Sequence, residues 1–225
     1  MSRRYAVDTS NWTGMIPPES AQCMREKGFD KAIINLFDGN IARQQYDAYK
    51  AAEFEVDGYI YFEFDKDGVA QLREQLANLQ GRVIGRLWID CEDFDASYMT
   101  EAATVQYIWT IVKACEGVVN TGIYTRKSWW EYQTANDTSF SRAGLLLWDA
   151  TNDASDDMSY VPYGGWQKSY MEQYRFDVEL CGETVDLNVY EDADTETPPD
   201  LRLAYTGFSD NKYNYNLTVE IGGGK

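Results

Sequence analysis

Short β-branched and aromatic runs alternate with longer helical patterns through the first half of the chain, and only a parallel sheet or barrel accommodates that alternation. Strands are predicted at 5–10, 31–37, 57–64, 83–91 and 121–125. Between them, Pro17-Pro18-Glu19 opens a helix that runs to Gly28, and further helices are predicted over Ile41–Phe54, Val69–Leu79 and Thr100–Cys115. Each is long enough to return the chain to a neighbouring parallel strand. After Thr125 the pattern changes. Ser128–Tyr132 forms at most one short helix, and strands at 144–149, 169–176 and 184–190 follow with little helix between them. The predicted fold class is therefore α/β, five βα units followed by three strands, and not a regular eightfold repeat.

A chain of 225 residues is long enough for one substantial core. The acidic segment Asp192–Pro199 ends in Pro-Pro and reads as a boundary, so residues 1–195 are expected to form the barrel domain and 196–225 a C-terminal extension.

The composition removes whole classes of chemistry. There is no histidine, which excludes Ser-His-Asp and Cys-His catalysis and every histidine-based metal site, so acid–base work must fall to carboxylates. No metal site and no cofactor are expected. With 20 Lys plus Arg against 37 Asp plus Glu, the net charge of −17 argues against binding nucleic acid. Cys23, Cys91, Cys115 and Cys181 lack CxxC spacing and are expected to be free thiols buried as small hydrophobes. The N-terminus runs straight into a strand pattern, with no apolar signal region and no run of 18 apolar residues, so neither a signal peptide nor a membrane contact is expected.

The carboxylates then fall into a pattern. Strand residues alternate faces, so in Leu87-Trp88-Ile89-Asp90-Cys91-Glu92 the apolar set Leu87, Ile89 and Cys91 must meet the helices. Trp88, Asp90 and Glu92 then point to the barrel axis, with the two acids near the C-terminal end of the strand, where barrel enzymes place their chemistry. The same count turns Asp8 and Ser10 inward on the first strand, and Asp186 and Asn188 inward on the last. A single acid after an apolar strand is commonly a helix cap. Four acids delivered to one mouth by three strands are a different matter: like charges in a low-dielectric site raise at least one pKa, as glycoside hydrolysis requires.

Four segments carrying these residues resemble the glycoside hydrolase family 25 lysozymes. Asp8-Thr9-Ser10-Asn11-Trp12-Thr13-Gly14 is similar to the opening Asp-x-Ser…Gly strand of that family, and Ile89-Asp90-Cys91-Glu92 to its Asp-x-Glu. Gly122-Ile123-Tyr124-Thr125 is similar to its fifth strand, and Val185-Asp186-Leu187-Asn188 to its closing Val-Asp-Leu-Asn. The resemblance implies an irregular TIM-like barrel and a muramidase that cuts the β-1,4 bond between N-acetylmuramic acid and N-acetylglucosamine. It makes Glu92 the general acid and gives Asp90 the task of orienting or stabilising the 2-acetamido group. Asp8 and Asp186 line the subsite, and Tyr61, Tyr124, Trp148, Ser10 and Asn188 contact sugar.

The chain departs from the family at Asn35-Leu36-Phe37-Asp38-Gly39, at Tyr61, and at Glu172-Gln173-Tyr174, which stands where Trp-Gln-Tyr is usual. The expected partner is a peptidoglycan glycan strand. Other virion or wall-targeting proteins are further candidates, because a protein this acidic is repelled by an anionic wall. Release by lysis from the cytoplasm, or carriage on a virion, would bring it to the wall. Alternative readings are a wall-binding or virion module without turnover, and a glycosidase acting on another acetamido-sugar polymer such as chitin.

Overall fold

Eight strands close into one barrel in chain order, β1 to β8, in a computed structural model that describes residues 3–92 and 99–191. The strands are β1 (Arg3–Thr9), β2 (Phe29–Asn35), β3 (Glu55–Tyr61), β4 (Leu87–Cys91), β5 (Thr121–Thr125), β6 (Leu146–Ala150), β7 (Met171–Leu180) and β8 (Glu183–Glu191). β1 to β7 pair in parallel, and β8 closes the ring antiparallel to both β7 and β1. The helices among the described residues are α1 (Pro18–Glu26), α2 (Gly39–Ala51), α3 (Gly68–Ala77), α4 (Glu101–Cys115), α5 (Lys127–Thr134) and the short α6 (Ser139–Arg142). The barrel with five βα units and three closing strands is thus as the sequence predicted. The proposed extension, 196–225, lies outside the described residues.

Local chemistry starts each of the first four helices. Pro18 opens α1, where its missing N–H is no loss. Asp38 caps α2 by accepting from the amides of Asn40 and Ile41, Asp67 caps α3 through Val69 and Ala70, and Thr100 caps α4 through Ala103. The predicted strand 83–91 is shorter in the structure, because residues 83–86 approach the sheet as a loop, and α6 was not foreseen. The last two strands form a longer hairpin than expected, joined by a tight turn at Cys181-Gly182.

The pleat divides the core in two. Val7, Leu87, Ile89, Cys91, Ile123, Leu147 and Val189 face the helices, while Ala6, Ile33, Trp88, Tyr124, Trp148, Met171 and Tyr190 fill the barrel. Trp88 fits only because its neighbour across the ladder is Gly122, where a Cβ would stand 2.3 Å from the indole ring. Any larger residue there would displace the indole that floors the mouth.

The cysteine expectation is corrected. Cys23 on α1 and Cys181 at the β7–β8 turn form a disulfide, their Cα atoms 6.0 Å apart across 158 residues of sequence, while Cys91 and Cys115 are free and buried. Barrel closure brings α1 beside the last hairpin, and spacing along the chain carries no trace of that proximity.

Candidate active site

The mouth is built from the C-terminal ends of β1 and β4 and the facing part of β8. Asp8 and Asp186 stand directly opposite each other in the antiparallel β1–β8 ladder. Gln173 of β7 ties them together, its Nε2 donating to Asp8 Oδ2 at 2.9 Å and to Asp186 Oδ2 at 3.0 Å. The Tyr124 hydroxyl donates to Gln173 Oε1 at 2.6 Å and so fixes which way the amide faces. Asn188 donates a second bond to Asp8 Oδ2 at 2.7 Å and accepts from the Trp148 indole at 2.8 Å. Asp186 also accepts the backbone amide of Asp177 at 2.7 Å. Asp177 lies at a bulge in β7 with φ 52°, a strained conformation that aims its N–H at the carboxylate.

Asp90 is buried beside Tyr61 and Tyr124 in the ladder rows of β3, β4 and β5. Glu92, one residue beyond β4, keeps 27% of its side chain exposed and accepts from Arg126 Nη2 at 2.9 Å. Arg126 occupies the N-cap of α5 without capping it, a position where arginine has no intrinsic preference; its guanidinium reaches Glu92 instead.

All four predicted acids act on one point. The Tyr124 hydroxyl is pushed well above its ordinary pKa by burial first, and then by the charges of Glu92, Asp90, Asp8 and Asp186. Burial and the neighbouring Asp186 also raise Asp8 well above the usual carboxylate range, against the opposing bonds from Asn188 and Gln173. Asp186 is pushed up to about 6, again chiefly by burial. Both shifts favour the protonated form of the Asp8–Asp186 pair, while the partly exposed Glu92 is ion-paired to Arg126.

Of the residues expected to contact sugar, only Tyr61 is open, at 39% exposure. Tyr124 and Trp148 are buried beneath the acids, with their polar atoms on Gln173 and Asn188, and Asn188 itself is fully buried. They support the cluster rather than wall a groove. The Ser10 hydroxyl accepts the Trp12 amide and shapes the loop after β1. That loop presents Trp12 at 98% exposure, the loop after β2 presents Phe37 at 66%, and Tyr61 follows at the end of β3. The C-terminal ends of three successive strands thus carry exposed rings, of which sequence reasoning singled out only Tyr61. Gln173 and Arg126 were also missed, since neither titrates usefully and neither sits in a catalytic motif.

The family model for lysozyme-like protein 1 matches residues 1–174. Counting factor 50 of Dictyostelium discoideum is 26% identical over 206 residues, covering 84% of this chain and 67% of that protein. Probable GH family 25 lysozyme 5 of the same organism is 24% identical over 205 residues, 82% of this chain and 89% of the relative. Among solved structures, a family GH25 lysozyme from Aspergillus fumigatus superposes with a TM-score of 0.72 at 18% identity, covering 84% of this chain and 94% of that one. With the barrel, the acids and the matched length in agreement, the chain belongs to the lysozyme-like protein 1 family and folds as the family 25 lysozymes do.

Proposed function

We propose that this glycoside hydrolase cuts the glycan strand of peptidoglycan at the β-1,4 bond after N-acetylmuramic acid. The observation that carries the reading is the convergence of Asp8, Asp90, Glu92 and Asp186 on Tyr124 at the C-terminal mouth of the barrel. Glu92, which keeps part of its side chain exposed, is the general acid: it protonates the leaving oxygen, regains a proton from the water that attacks the anomeric carbon, and pairs with Arg126 only while it is a carboxylate. Asp90 orients the 2-acetamido group. The Gln173-tied pair of Asp8 and Asp186 supplies the fixed negative field that stabilises an oxocarbenium-like transition state. Trp12, Phe37 and Tyr61 offer apolar faces on which successive pyranose rings stack. The disulfide fits work in an oxidising setting outside the cytosol.

Clearing of purified peptidoglycan, run beside chitin as an uncharged acetamido-sugar control, tests this reading. The expected result is loss of turbidity on peptidoglycan with little release from chitin. Equal hydrolysis of both would move the protein to a broader glycosidase class, and no hydrolysis of either would leave a glycan-binding barrel.

A further inference from the structure

Opposite the aromatic rim, a groove of about 690 Å³ opens between the start of α5, the end of β6 and the loop that follows it. It adjoins the mouth, because Arg126, which holds Glu92, is also part of its wall. Its volume falls within the roughly 300–1,000 Å³ of small-ligand sites. Its chemistry differs from that of the rim. Lys127, 3.8 Å from Glu131 on α5, stands on one side and Asp153 on the other, Ser128 and Thr151 add hydroxyls, and Val161, 65% exposed, adds an apolar contact. An N-acetylhexosamine carries no charge and needs none of these ions. A short peptide with free carboxylates, an ammonium group, backbone amides and alanine methyls would use every one of them.

We propose that this groove is a subsite for the peptide stem carried on the muramoyl sugar, so that the chain prefers stem-bearing strands over bare glycan. The proposal rests on the muramidase reading and adds to it. One polymer then spans the mouth, its sugar rings on the aromatic side and its peptide branch on the charged side. Stem contacts are remote from the reacting bond, and their binding energy raises kcat/KM on the complete substrate.

The test compares peptidoglycan strands with the same strands stripped of their stems by an amidase, counting new reducing ends. Wild type should cut stem-bearing strands with a kcat/KM about tenfold higher. Ser128 is exposed on α5, so Ser128→Trp fills the groove without entering the core. It should cut stripped strands at the wild-type rate and lose the preference to within about twofold. That unchanged rate also reports correct folding. A Lys127→Ala, Asp153→Ala double variant removes the charges instead and should behave alike. Equal wild-type rates on both substrates would overturn the stem subsite and leave the muramidase reading intact. Failure to cut either would remove both.

Discussion

Asp149 gives the protein a pH dependence that can be worked out in advance. It is a buried carboxyl on the outer face of β6, paired in register with Glu172 of β7 and accepting the Tyr163 hydroxyl at 2.7 Å. Burial, with help from Asp153 and against the opposing pull of Tyr163 and Lys127, pushes it from an ordinary 3.8 to about 6. Between those two values the folded state holds a proton that the unfolded chain has released. Stability therefore falls as pH rises through this window, and the loss is complete above about pH 7. A shift of about 2 units corresponds to about 3 kcal/mol. Asp149→Asn keeps an oxygen for Tyr163 and removes the ionisation. The variant should match wild type near pH 4 and exceed it by up to about 3 kcal/mol at pH 8, a rise in Tm of roughly 6 to 12 °C. Urea unfolding at pH 4, 6 and 8 measures this directly. A variant whose stability runs parallel to wild type across the whole range would refute the reasoning. Glu172, raised to about 7, and Asp186 and Asp8 in the mouth shift in the same direction, so the protein as a whole should be most stable on the acid side of neutrality.

Three further outcomes are expected. Gln173→Leu removes the donor shared by Asp8 and Asp186 and leaves the Tyr124 hydroxyl without its acceptor, so urea unfolding should show a loss of roughly 2 to 5 kcal/mol; a change below about 0.5 would contradict the role given to it. Cys23→Ser opens a loop of 158 residues, for which chain entropy sets a destabilisation of up to about 5 kcal/mol, and wild type in reductant should melt at the same lowered temperature as the variant. Trp12→Ala should leave the melting temperature unchanged, because the ring is 98% exposed, and raise KM about fivefold for a lost stacking contact of roughly 1 kcal/mol; an unchanged KM would remove the rim from the binding surface.

Strand alternation was sufficient to turn Asp8, Asp90 and Glu92 toward one mouth, because side chains on a strand have only two directions and the apolar set fixes one of them. The resemblance offered Trp148 and Tyr124 as sugar contacts but carried no information on their depth, and depth decides whether a ring meets sugar or supports an acid. Arg126 was illegible for a different reason. A lone arginine before a short helix has no periodic signal, and its partner Glu92 lies 34 residues earlier, just past the end of β4. Gln173 stood in Glu172-Gln173-Tyr174 as a residue that matches the usual Trp-Gln-Tyr but was given no role, since a neutral amide becomes informative only once two carboxylates are seen on either side of it. The Cys23–Cys181 bridge depends on closure of the barrel, which no local pattern encodes.

The central claim is that Glu92 delivers the proton that breaks the glycosidic bond. Its most direct test is to digest purified peptidoglycan with wild type and Glu92→Gln, reduce the products and identify the new terminal sugar by mass. Wild type should yield reduced N-acetylmuramic acid, and the isosteric amide, unable to donate, should lower its release by roughly 10²- to 10⁴-fold while the protein stays folded. Near wild-type release by a folded Glu92→Gln variant, or reduced N-acetylglucosamine as the terminal sugar, would contradict the account.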